Sequence, residues 1–177
     1  MLRKRPSHLN VYYTYSGLAA FYRYWNRNWG DHFYTVHANE IGTKERGRRG
    51  NYGFVSEGTE CLIYTRQMTG TVPLYRYMND ARGDHFYTAD PHEIGVPAFG
   101  VTINGYRFEG IAGYCFPNTT YTQGTIPLYR YWKQSSGVTD HFYTTDSSEI
   151  GTTRPGRPGR NGYRSEGVAC RVIVYYE

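Results

Sequence analysis

The sequence predicts an all-β fold built from three copies of one unit. Three observations carry this. The pentapeptide DHFYT occurs at Asp31–Thr35, Asp84–Thr88 and Asp140–Thr144. Tyr, Thr and Val, which favour strands, dominate over Leu and Met, and 21 Gly and 8 Pro punctuate the chain. No stretch of helical periodicity interrupts the pattern.

Each copy opens on a strand of the form L-Y-R-Y-W and continues through a short loop into DHFYT and an E-I-G turn. The three read FYRYWNRNWGDHFYTVHANEIG (21–42), LYRYMNDARGDHFYTADPHEIG (74–95) and LYRYWKQSSGVTDHFYTTDSSEIG (128–151). They begin 53 and 54 residues apart. A variable loop then leads to a last strand that starts GFVSEG (53–58), GYRFEG (105–110) or GYRSEG (162–167). The units therefore run over about 21–73, 74–127 and 128–177. The segment 1–20 resembles an inter-unit stretch and is expected to complete the short last unit, so that a single domain closes into a ring. A closed, pseudo-threefold β-trefoil is the expected arrangement; a three-bladed β-propeller or a β-prism-like form has the same symmetry.

The residues of these motifs resemble the HFYT-repeat family of unknown function, whose units come in threes. That resemblance covers about 21–177 and implies glycan or cell-surface binding. The second unit departs from it in carrying Met78 where the others have Trp25 and Trp132, and the loops at 43–52 and 152–161 are longer and more basic.

Strict repetition is first of all what an architecture requires. Phe33, Phe86 and Phe142 are expected in the core, and Arg23, Arg76 and Arg130 are expected to pair with Glu57, Glu109 and Glu166. Cys61, Cys115 and Cys170 read as free thiols in the core, because three equivalent thiols cannot all pair. His8, His37 and His92 read as surface residues.

The functional expectation is a lectin with up to three related sites. Sugars need a flat ring against their C–H face and fixed polar groups for their hydroxyls. Trp25, Trp132, Tyr34, Tyr87 and Tyr143 would stack, and Asp31, His32, Asp84, His85, Asp140 and His141 would bind hydroxyls. Asn26, Trp29, Asn79 and Asp80 lie in turns that differ between units and would add unequal contacts. Three weak sites on one body would gain avidity on a glycan-covered surface.

Charge suggests alternatives. The formal net charge is +5. The loop 43–53 carries Lys44, Arg46, Arg48 and Arg49 against Glu45, and 152–163 carries Arg154, Arg157 and Arg160, a net of +3 each. Surrounding Gly and Pro suggest flexible loops that would attract acidic ligands; nucleic acid is not favoured, because these arginines alternate with Gly and Pro rather than with aromatics. A protease inhibitor presenting Arg48 or Arg157, or a scaffold for protein partners, is the remaining alternative. No catalytic motif, cofactor motif or metal-ligand spacing is present, so an enzyme is not expected. No apolar run is long enough to span a membrane. No signal peptide is visible in MLRKRPSHLNVYYTYSG, which suggests a cytoplasmic protein, one secreted by another route, or one whose leader has been removed.

Overall fold

The computed structural model describes residues 16–95, 98–119, 121–135 and 137–175. The protein is all-β. Its strands are β1 (Leu18–Asn26), β2 (Asp31–Thr35), β3 (Val55–Tyr64), β4 (Val72–Asn79), β5 (Asp84–Thr88), β6 (Thr102–Ile103), β7 (Tyr106–Cys115), β8 (Thr125–Ser135), β9 (Val138–Thr144) and β10 (Arg164–Ile173). Short 3₁₀ turns occupy Ala38–Glu40, Asn51–Gly53 and Arg160–Gly162. No helix among the described residues is long and apolar enough to cross a membrane.

Each unit is three antiparallel strands with the L-Y-R-Y-W strand in the middle: β2–β1–β3, β5–β4–β7 and β9–β8–β10. Register is the same each time. Tyr24 faces Phe33, Tyr77 faces Phe86 and Tyr131 faces Phe142, while Trp25, Met78 and Trp132 face His32, His85 and His141. The third strands join the units through Leu62–Ile173 and Tyr64–Tyr114, so all ten strands share one sheet. As hydrogen-bonded, that sheet is open, with β5 and β9 at the ends of its longest path. Residues 1–15 of the segment expected to complete the last unit, and His8 with them, lie outside the described residues. Its described end, Leu18–Ala20, pairs with Leu62–Tyr64 of the first unit.

The Glu-Gly signature is a β-bulge. Tyr24 pairs with Ser56 and Arg23 with Gly58, leaving Glu57 as the extra residue; Glu109 and Glu166 are left over in the same way. The following glycines take positive φ: Gly58 at 96°, Gly110 at 131° and Gly167 at 93°, which glycine tolerates without a Cβ clash. The bulge turns each glutamate toward the arginine across the pair. Arg23 Nε lies 2.8 Å from Glu57, Arg130 Nε 2.8 Å from Glu166 and Arg76 Nε 3.1 Å from Glu109, as the spacing predicts. Of the three, the Arg76 contact lacks hydrogen-bond alignment.

One central cluster gathers Phe21, Leu74 and Leu128 with Tyr34, Tyr87 and Tyr143 and the three cysteines, all free. Phe33, Phe86 and Phe142 sit in three satellite clusters, one per unit. In DHFYT all five residues are buried in every copy. The innermost strand is covered on both sides, because β2, β5 and β9 also pack on one another.

The basic loops differ from expectation as well. Both fold back on the strands that follow them, with Ser56 N–H donating to Arg48 O and Ser165 N–H to Arg157 O. Gly50 and Gly159 lie so close to Ile41 O and Ile150 O that any Cβ would sit 2.1 and 2.5 Å from those oxygens. The loops are thus seated on the isoleucine of the E-I-G turn, while Arg46, Arg48, Arg49, Arg154, Arg157 and Arg160 remain exposed.

Candidate functional site: unit junctions and the face around Trp29

The polar residues of DHFYT act between units, not within them. Asp31 accepts from the His85 backbone N–H at 2.9 Å and meets its ring Nδ1 at 2.6 Å. Asp84 does the same for His141, at 3.0 and 2.8 Å, and Asp140 for His32, at 2.9 and 2.9 Å. Each ring's Nε2 then stands 3.6 to 3.8 Å from Glu109, Glu166 or Glu57. The arginines complete each junction. Arg23 lies over Phe142 and pairs with Glu149, Arg76 over Phe33 with Glu40, and Arg130 over Phe86 with Glu93.

The three tyrosines make a cyclic set. Tyr34 Oη donates to Tyr143 O and accepts from Tyr143 N–H; Tyr87 does so to Tyr34, and Tyr143 to Tyr87, at 2.7 to 2.8 Å throughout. Burial raises all three phenols well above their ordinary pKa, so they remain neutral donors.

The junctions differ in one donor. Tyr163 Oη donates to Asp140, and Tyr106 Oη donates to Asp84 at 2.8 Å. The corresponding residue of the first unit is Phe54, which gives Asp31 nothing. Burial pushes the Asp31 carboxyl up despite His85. Burial acts on Asp140 too, but His32 and the Tyr163 hydroxyl bring it below the usual carboxylate range. Phe54→Tyr is therefore expected to add a charge-assisted hydrogen bond worth about 1 kcal/mol. Thermal unfolding and NMR titration of Asp31 check it: Tm rises and the Asp31 pKa falls.

These contacts sort the expected site residues. Tyr34, Tyr87 and Tyr143 are at most 1% exposed, so no sugar ring can stack on them; this corrects that expectation. Asp31, Asp84 and Asp140 are equally inaccessible and are committed to histidines. Asn26 and Asn79 are buried turn-formers: Asn26 Oδ1 accepts from Asn28 and Trp29 N–H, and Asn79 Oδ1 from Arg82 N–H. Trp25 is half-buried and lies over His32 with centroids 4.4 Å apart; Trp132 is half-buried opposite His141. His32, His85 and His141 show only 7 to 8% of their surface. Among the described residues no group of His, Cys, Asp and Glu is placed to hold a metal ion. The cysteines are buried, and burial raises Cys61 and Cys170 away from reactive thiolate.

Trp29 and Asp80 remain open. Trp29 is 43% exposed, with Phe54 edge-on to it at 5.7 Å. It stands where three clefts meet. One of about 360 Å³ lies between the first and second units, lined by Trp29, Tyr52, Met78, His85, Asp80 and Arg107. The others, about 290 and 440 Å³, lie among the turns 26–30, 79–83 and 133–139. A fourth, about 290 Å³, lies between the third and first units under Trp25. Met78 at the tryptophan position puts a narrower side chain over His85, and Asp80 is held at the rim by Arg107 at 3.2 Å.

Tyr52 is a candidate residue that the motif pattern missed. It is 73% exposed and sits at φ 57°, the left-handed conformation that Asn104 and Asn161 hold in the other units. Asn tolerates that conformation better than a bulky side chain. The signal was present in the sequence as Tyr-Gly standing against two Asn-Gly pairs. Tyr52→Asn is expected to stabilise the protein by about 0.5–1 kcal/mol in chemical denaturation and to weaken any ligand held in the adjoining cleft.

Fold and site define an all-β protein of three units, each of which completes the next. A family model described as a domain of unknown function (DUF5648) matches residues 20–173. The chain belongs to that family. This corrects the likeness drawn from the repeated motif, since the HFYT-repeat family is a different one. No curated protein and no solved structure matches the chain.

Proposed function

We propose that the chain is a carbohydrate-binding module that acts without catalysis, with the face around Trp29 as its ligand surface. The observation that carries this reading is the exposed indole at the meeting of three clefts, beside an exposed Tyr52 kept in a costly backbone conformation. Unusual backbone conformations persist where surroundings or function maintain them, and an exposed aromatic pair beside fixed polar groups suits the C–H faces and hydroxyls of a sugar. The reading places unequal sites on a repeated body, because Trp29, Tyr52 and Met78 belong to single units. The body itself we take as a pseudo-threefold ring, supported by the cyclic tyrosine set and by a last-to-first junction of the same kind as the other two. Three main strands per unit fit a three-bladed form better than a trefoil.

A glycan array on the purified protein tests the function. Selective binding that Trp29→Ala removes, with an unchanged melting temperature, is the expected result. Binding indifferent to Trp29 would move the site elsewhere. No binding to any glycan would leave the module as a scaffold for protein partners.

A further inference from the structure

The clefts around Trp29 carry a charge that the architecture does not use. The arginines of the repeated motif are all committed: Arg23, Arg76 and Arg130 each hold two or more glutamates. Arg27, Arg82 and Lys133 are not. They come from three different units, they line the two clefts among the turns, and none has a carboxylate partner among the described residues. Arg27 and Arg82 are exposed, and among the described residues the Arg82 guanidinium makes a single long hydrogen bond, 3.5 Å to Thr139 Oγ1. Lys133 Nζ rests 4.3 Å from the centroid of the Tyr163 ring. It occupies the position of Asn26 and Asn79 in the other units, so it replaces a turn-forming residue with a cation.

The carboxylates of these clefts do not balance them. Asp80 is tied to Arg107, and Asp140 is 1% exposed and held by His32 and Tyr163. Three cations on the turns beside one exposed indole make the local potential positive, which favours an anionic ligand. A neutral sugar would use the indole and leave that potential unused.

We infer that the ligand of the Trp29 face is an anionic saccharide, a uronate or a sulfated sugar. Its ring lies against Trp29 and its acidic groups face Arg27, Arg82 and Lys133. This rests on the carbohydrate reading and adds the charge class.

Calorimetric titration of the full chain tests it with four probes: trigalacturonate, its neutral methyl ester, a heparin-derived tetrasaccharide, and a single-stranded oligonucleotide. At low salt at least one acidic saccharide is expected to bind about tenfold more tightly than the ester, with the difference shrinking as salt is added. Arg27→Gln, Arg82→Gln and Lys133→Gln are each expected to cost about threefold for that acidic saccharide and nothing for the ester. Arg46→Gln with Arg157→Gln is expected to change neither, and Trp29→Ala to weaken both. Equal binding of ester and acids would overturn the charge assignment and leave the carbohydrate reading standing. Loss of acidic binding in the loop variant instead would overturn the location. Tighter binding of the oligonucleotide would overturn the ligand class. No saccharide binding at all would overturn both readings.

Discussion

Tyr34→Phe is expected to lower stability by about 3 kcal/mol, a fall in Tm of roughly 10 °C. The substitution removes one oxygen, but that oxygen serves two backbone groups of the third unit. It donates to Tyr143 O and accepts from Tyr143 N–H, both in a core that water does not reach. Leaving a buried donor and a buried acceptor unpaired costs about 1–3 kcal/mol each. Tyr87→Phe and Tyr143→Phe orphan equivalent pairs and should cost the same within about 0.5 kcal/mol. Denaturant unfolding of the three variants decides the matter. A loss under about 1 kcal/mol in all of them would show that the backbone finds other partners.

Asp140→Asn is expected to cost about 3 kcal/mol at neutral pH. The carboxylate holds the His32 ring and backbone and also accepts from Tyr163, all in a buried setting. The amide keeps one acceptor oxygen and brings two donors toward groups that already donate. The pH dependence gives a second readout. The folded pKa of Asp140 lies below the ordinary 3.8, so the native state binds this proton less readily than the unfolded chain. Its contribution is present above 3.8 and is lost as pH falls through 3.8 toward the folded value. The gap between the wild type and Asp140→Asn should therefore narrow below about pH 4 in acid unfolding curves. Glu40 and Glu93 are also lowered, burial being outweighed by Arg76 and Arg130, and they add acid sensitivity of the same sign. A constant gap across pH would show that the aspartate acts through shape and not through charge.

Much of the fold could be read from the sequence. The repeat period, the succession of strands along a unit, the buried Phe and Cys positions and the Arg–Glu pairs all follow from the spacing of the repeated motif. The site was harder to read. Asp and His adjoin in DHFYT, which suggests one shared site; in the fold each aspartate serves the histidine of the next unit, a relation that adjacency cannot reveal. The sequence assigns Tyr34 to stacking on a sugar, but alternation sorts core from solvent only when one face of a strand is wet, and β2, β5 and β9 have none. Trp29 was legible as an exposed aromatic in a polar turn. Tyr52 could be found only by comparing its Tyr-Gly with the Asn-Gly of the other units, and Arg27, Arg82 and Lys133 were not legible, because they break the repeat rather than form it.

Glu60 shows how the chain treats its three junctions. It is the extra residue of a second bulge in β3, where Ala112 and Ala169 stand in the other units. It binds Arg23 at 2.7 Å and accepts from the Thr145 backbone at 2.6 Å, linking the first unit to the third. The carboxylate clasp thus ties together two units that do not follow one another in the chain. A single excised unit would carry an aspartate without its histidine and a tyrosine hydroxyl without its carbonyl.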